Sequence, residues 1–209
     1  MHNDAKPEIQ ALFLDIGGVL LTNGWGSDFR KKAIEKFNLD AQEIEGRHQL
    51  AFDNYELGLM TLDEYLDLVV FYEPRPFSVQ EFKDFMLGLS ARLGNNIEFF
   101  RALKEKYKLK VIAVSNEGRE LNEYRIKKFG LNELFDAYIS SCYVRLHKPS
   151  HAILKLACDI SQVVPQHALY VDDRALLVRV GYEFGLQTLH FQGIDHAKDF
   201  ISTCIFQNK

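Results

Sequence analysis

Four short segments of the 209-residue chain place polar side chains directly after apolar runs. Asp15 follows Leu12-Phe13-Leu14, Ser115 and Asn116 follow Val111 to Val114, and Asp172 and Asp173 follow Leu169-Tyr170-Val171; Lys148 lies in the loop His147-Lys148-Pro149. Each alone is an ordinary turn or strand-end residue. As an ordered set they suggest chemistry. Carboxylates brought side by side in a partly desolvated cleft repel one another unless a proton or a cation neutralises them. Oxygen-only ligation favours Mg²⁺, which typically keeps waters and recruits phosphate oxygens. Lys148 adds a positive point charge suited to an anion. Ser115, with backbone N–H groups at a helix start, would hold further anionic oxygens. The sum is a phosphoryl site with a carboxylate nucleophile.

Positioning those groups requires strands that end together. Near-continuous apolar runs mark strands covered on both faces, and the chain has five: Ile9 to Asp15, Leu109 to Val114, Ala137 to Ser141, Ala168 to Val171 and Gln187 to Phe191. Helical patterns lie between them. Ile97, Phe100, Leu103 and Tyr107 recur at helix spacing; Leu121, Tyr124, Lys128 and Leu131 form a weaker series; Pro149 stands at a first helical turn with Ile153, Leu156 and Ala157 behind it. The alternation predicts an α/β fold, a three-layer Rossmann-like parallel sheet with helices on both faces. Ligands of such sheets gather at the carboxyl ends of the strands.

The stretch from about Trp25 to Ala91 breaks this rhythm. Phe29, Ala33 and Phe37 share one helical face, Leu62, Leu66, Val69 and Val70 another, and Phe82, Phe85, Met86 and Leu89 a third. Thr61 with Glu64 and Ser78 with Glu81 have capping-box spacing, and Pro74 and Pro76 separate the two helices they start. The expected organisation is a core domain of residues 1–22 and 92–209 with an inserted small helical cap domain of residues 23–91. Asn23, Gly24 and Trp25 would form the hinge beneath the cap, with Trp25 either lining a substrate pocket or packing into the cap.

The formal charge of −4 and the lack of a polybasic run give no reason to expect nucleic acid as a partner. Cys142, Cys158 and Cys204 are widely spaced, which suits core or boundary thiols in a reducing compartment. The segment Met1 to Glu8 is polar, and no apolar run reaches the length of a membrane span, so the expectation is a cytoplasmic protein without membrane contact. A monomer is the default, with a homodimer through an exposed cap stripe as the alternative.

The segments FLDIGG, VSNEG, the HKP lysine and YVDD resemble, in order and approximate spacing, the four motifs of the haloacid dehalogenase-like superfamily. The resemblance covers nearly the whole chain, with a type-one helical cap, and its opening D-x-G-G-V is most similar to a subgroup that includes a glucose-1-phosphate phosphatase. It implies that Asp15 is the nucleophile, Ser115 and Asn116 bind phosphate, and Lys148 steadies nucleophile and phosphate. It further implies that Asp15, Asp172 and the Gly17 carbonyl hold Mg²⁺, that Asp173 positions a metal water or Lys148, and that Gly18 and Trp25 contribute to the substrate pocket. The expected activity is Mg²⁺-dependent hydrolysis of a small phosphorylated metabolite.

The sequence departs from the family pattern in two places. Where phosphatases of the superfamily usually carry a second Asp as general acid and base, this chain has Gly17. General acid–base catalysis is worth roughly 10²- to 10⁴-fold, so turnover suffers unless another group substitutes. Leu176 and Leu177 stand where an amide often follows the paired aspartates, with Arg174 as a partial substitute that pairs with a carboxylate or an anion, or as a solvated helix-start residue. Glu117 and Arg119 lie near enough in sequence to reach the pocket; His147 has no partner that would give it a role. A phosphate-binding module without catalysis is the non-enzyme alternative. A 2-haloacid dehalogenase is a further one, disfavoured because the paired Asp172-Asp173 suits a metal.

Overall fold

A computed structural model describes residues 8–204. Five strands, β1 (Ala11–Leu14), β2 (Lys110–Ser115), β3 (Ala137–Ser140), β4 (Ala168–Asp172) and β5 (Gln187–His190), form one parallel sheet in the order β3-β2-β1-β4-β5. All five follow the apolar runs to within one or two residues. Alternate residues of the central strands serve opposite faces: Leu12, Leu14, Val111 and Ala113 pack on one side with Phe100, and Phe13, Ile112 and Val114 on the other with Ile153 and Leu154.

Helices α5 (Asn96–Tyr107), α6 (Arg119–Phe129) and α10 (Ile194–Cys204) supply the first face. Helices α8 (His151–Ser161) and α9 (Ala175–Phe184) supply the second, and the short α7 (Ser141–Val144) follows β3. This is the three-layer α/β core expected. Two helix ends differ from expectation. Gly130 at φ 62 closes α6, so Leu131 belongs to a separate 3-10 turn. Pro149 precedes α8 instead of opening its first turn, because Ser150 is the N-cap and accepts from the Ala152 N–H.

Between β1 and α5 lie four helices, α1 (Ser27–Phe37), α2 (Ala41–Glu56), α3 (Leu62–Val69) and α4 (Val79–Gly88). Both capping boxes are present, at Thr61 with Glu64 and at Ser78 with Glu81. The helices share a core of their own, in which Tyr55 and Tyr65 stack at 5.2 Å and Trp25 meets Phe82 edge-on at 5.8 Å. The Trp25 indole N–H donates to the Tyr65 hydroxyl (2.9 Å), which lies 2.8 Å from His48 Nδ1. Burial, helped by the Arg30 charge, pushes the His48 pKa down to about 4, so the ring is neutral beside the Tyr65 hydroxyl. Trp25 is therefore held inside the cap by an edge contact and a hydrogen bond and does not line the pocket over Asp15, which corrects its expected place among the substrate-binding residues.

The chain passes between core and inserted helices twice, side by side: Thr22 N–H donates to the Ala91 carbonyl (2.9 Å) and Leu93 N–H to the Leu20 carbonyl (3.0 Å). A second junction lies at the far end of α2. Ser141 Oγ donates to the Glu56 carbonyl (2.7 Å), the Leu62 N–H donates to Glu120 (2.9 Å), and Tyr55 lies against Gly118. Gly58, at φ 65, presses on the Cys142 carbonyl with no room for a Cβ. Cys142 and Cys158 are buried free thiols; the side chain of Cys204 lies outside the described residues. Among the described residues no helix is long and apolar enough to cross a membrane.

Gly58→Ala adds a methyl against a carbonyl and forces a non-glycine residue into the left-handed region. It is expected to lower unfolding free energy by more than about 1 kcal/mol. An unchanged urea midpoint would show that this junction carries no strain.

Candidate active site

The sheet register builds the site. Leu14 pairs with Val171 and with Ala113, so Asp15 and Asp172 each stand one residue past the same paired row on adjacent strands, and Ser115 ends the strand on the other side. Asp15 N–H donates to the Val171 carbonyl (3.0 Å), and its own carboxylate accepts from the Ile16 N–H (2.7 Å). Asp15, Ser115, Lys148 and Asp172 are all buried.

Lys148 closes the arrangement. Its ammonium lies 2.9 Å from Asp15 Oδ2 and 2.7 Å from Asp172 Oδ2, bridging the two carboxylates. Burial alone would favour loss of its proton; the attraction of Asp15 and Asp172 outweighs that and holds the ammonium above its ordinary range. Burial pushes the Asp15 carboxyl up, against the pull of Lys148 and with the Asp172 charge adding to it. Asn116 fixes the lysine loop: its side-chain amide donates to the Lys148 carbonyl (3.0 Å), and its Oδ1 accepts from the Lys148 N–H (2.9 Å). The Asn116 amide is thus engaged by the lysine backbone, a positioning contact that its sequence position did not suggest.

Asp172 accepts three hydrogen bonds, which leaves room on Oδ1 for one further ligand. Besides Lys148, its Oδ2 accepts from the Tyr170 hydroxyl and its Oδ1 accepts from the Arg174 N–H (2.9 Å). Leu177, where an amide was looked for, is buried in the apolar layer, and Leu176 is exposed; the Tyr170 hydroxyl reaches Asp172 from the strand side. Asp173 is half-buried, with one carboxylate oxygen buried and without a hydrogen-bond partner. Its carboxylate fits against Gly18, whose φ of 73 and missing Cβ make the approach possible.

Gly17, Ser115, Asn116, Glu117 and Lys148 wall a small cavity of about 20 Å³ around Asp15. A wider cleft of about 480 Å³ runs beside it past Gly18, Asn23 and Phe29, and the exposed Arg174 borders both. Glu117 is in the wall as expected, but it is paired: its carboxylate receives Arg125 Nη1 at 2.7 Å. Burial raises the Glu117 pKa, with Arg125 opposing. Arg119 instead donates to the Cys142 carbonyl (3.0 Å), away from the cavity. His147 is half-buried in the lysine loop, where its carbonyl accepts from the Ser150 N–H.

A hard cation fits this donor set. Oxygens of Asp15, Asp172 and Asp173 lie within 4.8 Å of one another, all are carboxylate, and the unpartnered Asp173 oxygen is a buried polar atom of the kind a bound ion or its water satisfies. Sequence reading missed Arg125 and Tyr170. Tyr170 could have been found, because residues 170 and 172 of one strand face the same side; a charged residue in a polar helix offered no signal for Arg125.

A family description for haloacid dehalogenase-like hydrolases matches residues 9–176. A D-ribitol-5-phosphate phosphatase of Bacteroides thetaiotaomicron is 23% identical over 201 residues, covering 86% of this chain and 90% of that protein. The crystal structure of an enzyme of the same family from that organism, in complex with magnesium and inorganic phosphate, superposes with a TM-score of 0.76 at 22% identity, over 92% of this chain and 99% of the other. An L-2-haloacid dehalogenase superposes with a TM-score of 0.63 at 20% identity, over 87% and 85%. Likeness at this level of identity establishes the shared fold.

Removing the bridge tests its electrostatics. Lys148→Met leaves two buried carboxylates facing each other, so at least one acquires a folded-state pKa above its unfolded value. The stability such a group contributes is complete at low pH and is lost as pH rises through the folded pKa. In EDTA the variant is expected to lose about 3–5 kcal/mol near neutral pH and less as the pH falls toward the ordinary carboxylate range. A deficit independent of pH would mean that Lys148 acts through packing alone.

Proposed function

Because the chain belongs to the haloacid dehalogenase-like hydrolase family, we propose that it hydrolyses small phosphomonoesters, sugar or polyol phosphates, through an aspartyl-phosphate on Asp15. The observation that carries this reading is the Lys148 ammonium bridging Asp15 and Asp172 in a buried cavity that Ser115 also lines. An uncompensated carboxylate pair is costly to bury, and a site without anionic chemistry has no physical need for it. The D-ribitol-5-phosphate phosphatase relative and the likeness of the opening motif to the glucose-1-phosphate subgroup support a polyhydroxylated leaving group.

In this reading Asp15, Asp172 and the Gly17 carbonyl would hold Mg²⁺, with Asp173 on the metal water. The ion supplies charge neutralisation at the phosphoryl oxygens. Asp15 Oδ attacks phosphorus in line with the ester oxygen, the P–O bond to the leaving group breaks, and water later cleaves the aspartyl-phosphate at phosphorus. Ser115 donates to a phosphoryl oxygen while Lys148 offsets its charge. Tyr170 keeps Asp172 oriented, and Gly18 leaves room for Asp173. The paired crossing of Thr22 and Ala91 supports a division into core residues 1–22 and 92–209 and cap residues 23–91, in which the cap side of the wider cleft would select the leaving group.

Phosphate release from a panel of sugar, polyol and aryl phosphates is expected with Mg²⁺, to vanish with EDTA, and to fall to background in Asp15→Asn. No release from any ester would leave a phosphate-binding module as the better account, and halide release from a 2-haloacid without metal would favour a dehalogenase. Tyr170→Phe is expected to weaken Mg²⁺ activation or turnover by about 10- to 100-fold. An unaltered Mg²⁺ titration would show that Asp172 needs no such support.

A further inference from the structure

The small cavity around Asp15 opens into the wider cleft through a throat, because Asn23, Gly24 and Arg174 border both spaces. One side of the throat is backbone: the Glu117 carboxylate stands so close to Gly24 that a Cβ there would have no room. The other side is the exposed guanidinium of Arg174. A phosphoryl group carried on Asp15 fills the inner space, so its leaving group must pass Arg174 to reach the cleft.

Arg174 is placed against the usual electrostatics of a helix. It is the N-cap of α9, at the positive end of the helix dipole, and the first turn carries no acidic residue to offset it. Lys148, a second cation, lines the same inner cavity. The Arg174 backbone is fixed, since its N–H donates to Asp172 Oδ1 (2.9 Å). Its guanidinium makes no hydrogen bond or ion pair among the described residues, whereas eight of the ten arginines in the chain pair with a carboxylate. The neighbouring acids are engaged elsewhere: Asp172 with Lys148 and Tyr170, and Asp173 against Gly18. Glu56 of α2 lies within electrostatic reach and forms no ion pair with it. Asp28, which also borders the wider cleft, lies 3.9 Å from Lys31, and Arg174 is the one cation among the residues that border that cleft.

We propose that Arg174 is a specificity residue that selects phosphate esters whose polyhydroxylated leaving group carries a second anionic group, a carboxylate or a further phosphate. The proposal rests on the phosphatase reading and narrows its substrate class to sugar-acid phosphates and sugar bisphosphates. Lys148 and Ser115 already face the transferring phosphoryl group, which leaves Arg174 for the remainder of the substrate. Its planar guanidinium offers paired N–H donors that match the edge of a carboxylate or phosphate. A neutral polyol in the cleft would leave this cation and the helix dipole unmatched; a second anion balances both.

The test measures kcat and KM in Mg²⁺ for a matched six-carbon series: glucitol 6-phosphate, gluconate 6-phosphate and glucitol 1,6-bisphosphate, whose far ends are neutral, carboxylate and phosphate. The wild type is expected to favour one or both anionic esters by about 10- to 100-fold in kcat/KM, chiefly through KM, and the order of the two tells carboxylate from phosphate. In Arg174→Met that preference is expected to collapse toward parity, and Arg174→Lys to keep part of it, because the charge remains and the paired donors do not. A wild type without preference, or an equal loss on all three esters in Arg174→Met, overturns this role, the second result assigning Arg174 to the transferring phosphoryl group. In either case phosphate release abolished by Asp15→Asn keeps the phosphatase reading. Absence of Mg²⁺-dependent release from every ester overturns both.

Discussion

The ammonium of Lys148 between Asp15 and Asp172 is the contact on which the carboxyl edge of the sheet depends. Parallel pairing of β1 with β4 sets the two carboxylates in neighbouring positions whatever their charge, because Leu14 and Val171 share a register. The fold therefore imposes a repulsion that a proton or a cation must lift, and Lys148 supplies the cation. The surrounding polar contacts follow from keeping that cation in place: Asn116 grips the lysine backbone on both its N–H and its carbonyl, and Tyr170 and the Arg174 N–H orient Asp172.

The inserted helices join this edge in two places with different chemistry. At the chain crossings the contact is a short backbone ladder around Leu21 and Arg92. At the end of α2 it is close backbone approach, through Gly58 and the Ser141 hydroxyl. The second junction brings residues 55–58 against loops that follow β2 and β3, so a segment far from Asp15 in sequence becomes part of its surroundings. Gly17 puts no side chain beside Asp15, so the groups bordering the wider cleft come from the inserted segment and Arg174.

Much of this was legible in the sequence because strand ends leave a strong mark. Apolar runs that stop at Asp15, Ser115 and Asp172 announce both the strands and the groups they deliver. Helix α2 was not separately legible, since its buried face is Ile44, His48, Ala51 and Tyr55, and two of those four read as polar. Trp25 was ambiguous for a related reason: an aromatic beside a hinge suits a pocket or a core equally, and only the Tyr65 hydroxyl and the Phe82 ring decide between them. The missing amide at Leu177 suggested a weakened carboxylate, whereas Tyr170 reaches the same oxygen from within the strand. Side-chain compensation across a fold leaves no periodic trace in one sequence.

Arg125 carries a consequence of its own. Its fully buried guanidinium holds the Thr22 carbonyl on one crossing strand, the Ser90 hydroxyl beside the other, and Glu117 in the cavity wall. Of these three partners only Ser90 lies on the inserted side of the crossing, so Glu117 keeps the buried charge compensated on the core side.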